Sequence, residues 1–335
     1  MTFDILTAKA LATLEEFEAA GFEKMLSASQ IETYRDCPRK WAFKYIEGKQ
    51  EPPNAFAEVG KALHTVAEGY LTNGALPDPD KVILTTDHKG TRREWTGGDL
   101  TKILMAGAKY LPAPGVATIE GYFELETMVG TIRGFKDFTH GSTVGDHKTT
   151  SDLRWAKTAA DLKTDVQAVI YAAHATETPG IETVDLSWVY YQRTPEKPRA
   201  KQVTATLTCQ SIDKALLPIL ETGLEIQRAY FKKKPALEHT PIAASCDKYG
   251  GCPFKDVCKL SNKEKMRSHM AQMSLKEKML ARKAATAPTP APETVAINPP
   301  SKAAPSKAAG LVPPFVITFS FDNPQDAQAF LDRLK

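Results

Sequence analysis

Asp137, Asp146 and Lys148 are the residues whose types and spacing could do chemistry; they stand in Gly134-Phe135-Lys136-Asp137 and Gly145-Asp146-His147-Lys148-Thr149. Side chains alternate across a strand, so in extended backbone Asp146 and Lys148 share a face while His147 points away. With Asp137 on the neighbouring strand, two carboxylates and one ammonium converge. Such oxygen ligands suit Mg²⁺ or Mn²⁺, which need only one or two carboxylates beside waters and substrate phosphate. A lysine beside them can orient a water or stabilise charge developing at phosphorus. That constellation fits metal-assisted phosphodiester hydrolysis. An Asp-x-Lys alone is also an ordinary surface ion pair, so the weight rests on what surrounds it.

The elements that must position these groups can be read nearby. Residues 122–139 and 142–149 are rich in Val, Ile, Phe and Thr and break at Gly130 and at His140-Gly141-Ser142. That pattern predicts adjoining antiparallel strands. A helical segment over 156–175 puts Gln167 and Tyr171, four apart, on one face directly after the second strand. Upstream, Ser29 and Glu32 read as a capping box that opens a helix running to about Glu47. Cys37-Pro38 interrupts it, and a proline inside a helix costs about 3 kcal/mol unless a break is wanted; a metal ligand at the break is one reason. A second helix covers 55–71 and contains His64, which on an apolar helix reads by itself as a packed histidine. Residues 73–98 read as loop with at most a strand fragment at 82–84. A helix over 99–111, strands over 185–193 and 202–208, and a long helix over 211–232 complete the pattern. The fold class is α/β (α+β), a central mixed β-sheet flanked by helices.

Cys246, Cys252 and Cys258 fall within thirteen residues, with five residues between each neighbouring pair. Paired zinc ligands usually stand two to four residues apart. Three clustered thiolates and a distant fourth suit a [4Fe–4S] cluster, which takes four cysteines. Cys37 is the fourth, and Zn²⁺ is the alternative metal. Cys209 is left over and expected to be packed and inert.

The order Gly134-x-x-Asp137, Asp146-x-Lys148, Gln167-x-x-x-Tyr171 resembles the PD-(D/E)XK nuclease superfamily, specifically its RecB-like branch. The resemblance implies a restriction-endonuclease-like core and covers roughly residues 27–260. It implies a Mg²⁺ or Mn²⁺ ion held by His64, Asp137, Asp146 and the backbone carbonyl of His147. Lys148 would position the water, Gln167 would support the bound water or Lys148, and Tyr171 would contact the DNA strand. One early and three late cysteines, with Cys37-Pro38-Arg39-Lys40 and Cys252-Pro253-Phe254, are similar to AddB-type nuclease domains and the iron–sulfur exonucleases of CRISPR adaptation. In those families the cluster joins the N- and C-terminal parts of the domain. They commonly place two residues between the first two late cysteines, where this sequence has five.

Net charge is only +3 at 335 residues, and 42% apolar content is enough to bury a full core. From position 224 to 285 there are fourteen Lys and Arg against six Asp and Glu. A basic region of this kind serves either as a solvated helical face or as a phosphate-tracking surface. Arg39, Lys44, Lys232, Lys233 and Lys234, with Tyr171, are the candidate DNA contacts. No apolar run is long enough for a membrane span, and residues 1–21 lack the pattern of a signal peptide. The expected setting is a reducing cytoplasm. No Gly-x-x-x-x-Gly-Lys phosphate loop is present, so an unwinding motor would be a separate chain.

Four parts are expected: an N-terminal helix in 1–26, a nuclease domain with its cysteine group over 27–283, an Ala/Pro-rich linker over 284–314, and a strand–helix segment over 315–335. That last segment is too small to bury its own apolar faces. It would dock on a helicase, recombinase or replication protein, on a second copy, or on the nuclease body. The function expected is a DNA exonuclease working at duplex ends or single strands in recombination, repair or replication; many relatives are phage-encoded or sit beside helicases. The alternatives are a non-catalytic DNA-binding module and a structure-specific endonuclease using the same site.

Overall fold

A computed structural model describes residues 15–261, apart from positions 18, 23, 53, 89, 249 and 250. The expectations for 1–14, for the linker over 284–314 and for the strand–helix segment over 315–335 lie outside the described residues.

A two-residue strand β1 (Leu26–Ser27) leads directly into helix α1 (Ala28–Asp36). The cap is Ser27 rather than Ser29: its Oγ accepts the Gln30 N–H at 3.3 Å. Capping requires extended backbone at the cap residue, and Ser27 supplies it as the end of a strand. Cys37 breaks the helix in extended conformation, and Pro38 opens α2 (Pro38–Tyr45) at the first position, where a missing N–H costs nothing. The Cys37-Pro38 interruption thus separates two helices. Asn54 caps α3 (Ala55–Asn73), and Gly74 ends it in the left-handed region.

β2 (Val82–His88) and β3 (Thr91–Thr96) form a separate two-stranded sheet where a loop was expected. Most of its side chains are exposed on both faces, so no apolar alternation marks it. Trp95 and Thr86 are the exceptions; both are buried, and Trp95 donates its Nε1–H to Thr86 Oγ1 at 3.0 Å. Next follow α4 (Gly97–Met105), β4 (Thr118–Leu125), β5 (Ile132–His140), β6 (Thr143–Thr150), α5 (Ala159–Leu162), α6 (Val166–Thr176), β7 (Thr183–Gln192), β8 (Ala200–Thr208), α7 (Cys209–Lys232) and the short α8 (Lys255–Cys258). Cys209 is exposed at the start of α7 and donates its thiol to Glu182 O at 3.3 Å, correcting its reading as a packed residue.

The central sheet is mixed. β4–β5, β5–β6 and β7–β8 pair antiparallel, while β1–β5 and β6–β7 pair parallel. β4 occupies one edge of β5 from Thr139 to Ile132. β1 and β6 therefore share the other edge, β6 at Phe138–His140 and β1 at Ile132–Arg133. β7 shows how the sheet is sandwiched. Val184, Leu186, Trp188 and Tyr190 join the core built by α1, α2, α6 and α7, whereas Val189 and Tyr191 join the one built by α3 and α4. Helices thus cover both faces, as parallel pairing requires. Among the described residues no helix is long and apolar enough to cross a membrane.

Candidate active site and metal centre

The site lies where the edge of β5 shared by β1 and β6 is unpaired, over residues 134–137, while the opposite edge stays paired to β4. Main-chain groups left bare inside a protein must find partners, and here side chains supply them. The Tyr171 hydroxyl donates to Phe135 O. Asp137 Oδ2 accepts the His147 N–H at 2.6 Å, standing where the next rung of the β5–β6 ladder would be. Gly134 must stay bare, because a Cβ there would come within 2.7 Å of the Phe123 ring and 3.3 Å of Tyr171. The Gly-x-x-Asp spacing thus joins a crowded point of the strand to the carboxylate that closes the gap.

On the α6 side of the sheet, Asp146 and Lys148 share a face as expected. Lys148 Nζ lies 2.7 Å from Asp146 Oδ2 and donates to Gln167 Oε1 at 2.8 Å. Gln167 Nε2 donates in turn to Asp146 Oδ1 at 2.8 Å and to the Tyr171 hydroxyl at 2.8 Å. One amide therefore clasps both members of the ion pair, and the four-residue spacing on α6 is what brings Gln167 and Tyr171 to it. Asp146 is 1% exposed, and Lys148 Nζ reaches both of its oxygens, donating to Oδ1 at 3.0 Å. Burial pushes its carboxyl up to about 6 despite the lysine, with Asp137 adding to the rise. The Lys148 ammonium is held above the usual lysine range, burial being outweighed by Asp146.

On the α3 side, His64 Nε2 lies 2.8 Å from His147 O, and His64 Nδ1 lies 3.5 Å from Asp137 Oδ1. α3 can come this close because Gly60 faces Thr149; a Cβ there would already meet Thr149 Oγ1 at 3.3 Å. The His147 ring points to this face, against Phe138 and Tyr191, and burial drives its pKa down to about 4, so it stays neutral. Its main chain rather than its imidazole serves the site. Burial would lower the pKa of His64, but Asp137 more than offsets this and raises it. The Asp137 carboxyl moves the opposite way: burial would raise it, and His64 holds it below the usual range.

Glu120, which the sequence reading passed over, joins this group. The β4–β5 register runs through Ile119–Phe138 and Gly121–Lys136, which sets Glu120 opposite Asp137. Glu120 takes a left-handed φ of 47°, and ligand atoms of His64, Glu120 and Asp137 all lie within 4.8 Å of one another. Two carboxylates facing each other across strands repel, and a cation between them removes the conflict. Neighbouring ligands on an octahedral ion with bonds of about 2.1 Å lie roughly 3 Å apart. The 3.5 Å between His64 Nδ1 and Asp137 Oδ1 fits such an ion, while His64 Nε2, on the other side of the ring, lies 2.8 Å from His147 O.

A sequence profile of the PD-(D/E)XK nuclease superfamily matches residues 25–259. The chain belongs to this superfamily. A PD-(D/E)XK nuclease hydrolyses phosphodiester bonds with a divalent metal, and the acid, histidine and lysine groups described above lie within the matched span. A crystal structure of a putative exonuclease from Eubacterium rectale is similar at 12% identity with a TM-score of 0.46, over 70% of this chain and 87% of that one. No curated protein matches the sequence.

The remaining candidate residues of this PD-(D/E)XK nuclease are placed as follows. Tyr171 is buried, and its hydroxyl is shared between Phe135 O and Gln167, so it braces β5 rather than reaching a DNA strand. Arg39 is 6% exposed and spends its guanidinium on His239 O at 3.0 Å and Leu237 O at 3.1 Å, which corrects its reading as a phosphate contact. Those carbonyls come from about 200 residues downstream, a proximity that sequence spacing does not display. Lys44 pairs with Glu51 at 3.3 Å near the surface. Lys232 and Lys234 line a surface cavity of about 380 Å³ with Arg228 and His239, and Lys233 is exposed at the left-handed end of α7. Of the cysteines, Cys37 is buried at the α1–α2 break, and Cys246, Cys252 and Cys258 are half-buried.

Proposed function

We propose that this nuclease is an exonuclease that hydrolyses DNA at ends or along single strands, in recombination, repair or replication. The observation that carries the reading is the Lys148–Asp146–Gln167 clasp set one residue from the His147 main chain, which His64 and Asp137 both touch. His64, Asp137, Asp146 and the carbonyl of His147 would hold Mg²⁺ or Mn²⁺, with Glu120 as an added carboxylate. Bound there, the ion would polarise the phosphoryl oxygen and lower the pKa of its water. Lys148, kept protonated by Asp146, would orient that water and offset charge developing at phosphorus. Gln167 would keep Lys148 aimed, and Tyr171 would hold the strand that carries Asp137.

We read Cys37, Cys246, Cys252 and Cys258 as the ligands of a [4Fe–4S] cluster, or alternatively of Zn²⁺, that would join the two ends of the domain. Burial and the neighbouring sulfurs of Cys252, Cys37 and Cys258 push the Cys246 thiol up, and burial, Cys37 and Cys258 do the same to Cys252. The Cys252 N–H donates to Cys246 O at 2.7 Å, and Arg39 Nη1 lies 3.8 Å from Cys258 Sγ. Four cysteines gathered from the two ends of the domain would supply the ligand count of such a cluster, with Zn²⁺ as the alternative metal. Lys232, Lys233, Lys234 and Lys44 would track phosphates without reading sequence. The segment over 315–335 would recruit a replication or recombination protein or a second copy.

The test is anaerobic purification followed by an end-labelled DNA assay with Mg²⁺ or Mn²⁺, comparing wild type with Asp146→Ala and Lys148→Ala. Mononucleotide release by wild type and its loss in both variants is expected. Undiminished activity in either variant refutes the site, and internal cuts on closed circular DNA favour the endonuclease reading.

A further inference from the structure

Tyr122 and Phe135 face each other across β4 and β5, with ring centroids 5.2 Å apart and planes tilted by 55°. Both are large and both are open to water, at 51% and 54% exposure. Their strand neighbours turn the other way: Phe123 and Lys136 are buried on the α6 side, Lys136 against His174. Side chains two apart share a face, so Phe135 lies on the same side as Asp137, the side that His64 serves. Two residues of strand span about 7 Å, the reach of one nucleotide. The backbone under the pair is held, since Phe135 O accepts the Tyr171 hydroxyl and Tyr171 is tied through Gln167 to Asp146.

A cross-strand aromatic pair can serve a hairpin alone. Here it sits beside the cation group, on a strand joined rigidly to the catalytic carboxylate. From this we infer that Tyr122 and Phe135 form a stacking platform for an unpaired nucleobase, one nucleotide from the phosphate to be cut. The inference rests on the nuclease reading and adds its substrate class: a single-stranded nucleic acid, or an end whose last base is unpaired. Every base has a π-face, so the platform is indifferent to sequence. A base inside a duplex has both faces covered by its neighbours and cannot use it. Stacking involves no counterion release, so this contribution does not change with salt, unlike phosphate contacts.

The experiment measures binding without hydrolysis, in EDTA, by fluorescence anisotropy of labelled oligothymidylate, the matching oligouridylate and a DNA hairpin whose stem is fully paired and whose loop is a non-nucleotide linker. Phe135→Ala and Tyr122→Ala should each weaken single-strand binding roughly 5- to 150-fold, leaving hairpin binding and the salt slope unchanged. Phe135→Leu keeps the apolar bulk without the π-face and should show most of the loss while melting like wild type. Phe135→Trp supplies a direct readout, because a base stacked on the new indole quenches emission that wild type does not lose. A loss on thymidylate alone restricts the platform to DNA, and equal losses extend it to RNA. Unchanged single-strand affinity in the alanine variants, an equal loss on the hairpin, or indole emission left unquenched in Phe135→Trp overturns the platform. Hydrolysis by wild type under Mn²⁺ is assayed in parallel, so failure of the platform and failure of the nuclease reading give different results.

Discussion

Asp137 accepts the main-chain N–H of His147 at 2.6 Å, across the point where β5 and β6 stop pairing. A carboxylate thus stands in for a missing rung of the sheet, and the same residue presents its other oxygen to His64 at 3.5 Å. Structure and chemistry meet in one side chain. Asp137→Asn should therefore cost both at once: a neutral amide accepts the N–H less strongly and holds a cation poorly. We expect a fall in thermal stability together with at least a roughly 100-fold loss of turnover. Thermal melts and the end-labelled assay check this, and full stability with lost turnover would limit Asp137 to chemistry.

Gln167 grips Lys148 and Asp146 but would not itself touch phosphate. Gln167→Ala should lower kcat by about 10-fold with KM little changed, whereas Lys148→Ala should lose at least about 100-fold. Gln167→Glu offers two acceptors and no donor next to Asp146, and should be worse than alanine. Steady-state kinetics on a defined single strand separates these outcomes.

Protons and the cation compete for the same atoms. His64 has a raised pKa, and Asp146 is pushed up to about 6 by burial. Both groups have folded pKa values above their ordinary ones. In the metal-free protein each adds stability that is fully present at low pH, below pH 3.8 for Asp146 and 6.5 for His64. The Asp146 contribution is lost as pH rises through about 6, and that of His64 above its ordinary value. A cation needs both deprotonated. The rise in Tm produced by Mn²⁺ should be large near pH ~8 and shrink near pH ~5. An equal rise at both would show that the ion binds elsewhere.

Arg39 is buried against carbonyls of the segment after α7. Arg39→Ala leaves those acceptors unpaired and should destabilise the protein by about 2–4 kcal/mol. The salt dependence of DNA binding should stay as in wild type. A reduced salt slope with unchanged stability would return Arg39 to the DNA surface.

Crosslinking Cys37 to Cys246, Cys252 and Cys258 would close a very long loop, worth about 5 kcal/mol at most in the chain-entropy model. Cys252→Ala should abolish brown colour and bound iron and lower Tm, weakening DNA binding before it affects the carboxylates. Equal iron content and Tm in the variant would remove the cluster.

Local order was legible in the sequence to the extent that it recorded local causes. Segments rich in Val, Ile, Phe and Thr marked β4 to β6, alternation marked β7 and β8, Pro38 marked the break after Cys37, and the spacings within 134–171 marked the acids, the lysine and the α6 pair. The hairpin β2–β3 escaped because it is wet on both faces and shows no apolar alternation. Ser29 looked like the cap because a serine three residues before a glutamate fits the pattern, but it is Ser27 that ends a strand.

What the residues determined by themselves was the inventory: which acids, amine and imidazole exist, and which of them share a strand face or a helix turn. Tertiary structure alone decided who meets whom across the chain. It turned Arg39 inward onto carbonyls some 200 positions away, made Tyr171 a brace, and brought Glu120 opposite Asp137 through register and a left-handed residue. Spacing along a sequence encodes contacts only within one strand or one turn of helix. Pairing between strands, and the gap left where two strands share one edge of a third, exist only once the sheet has closed.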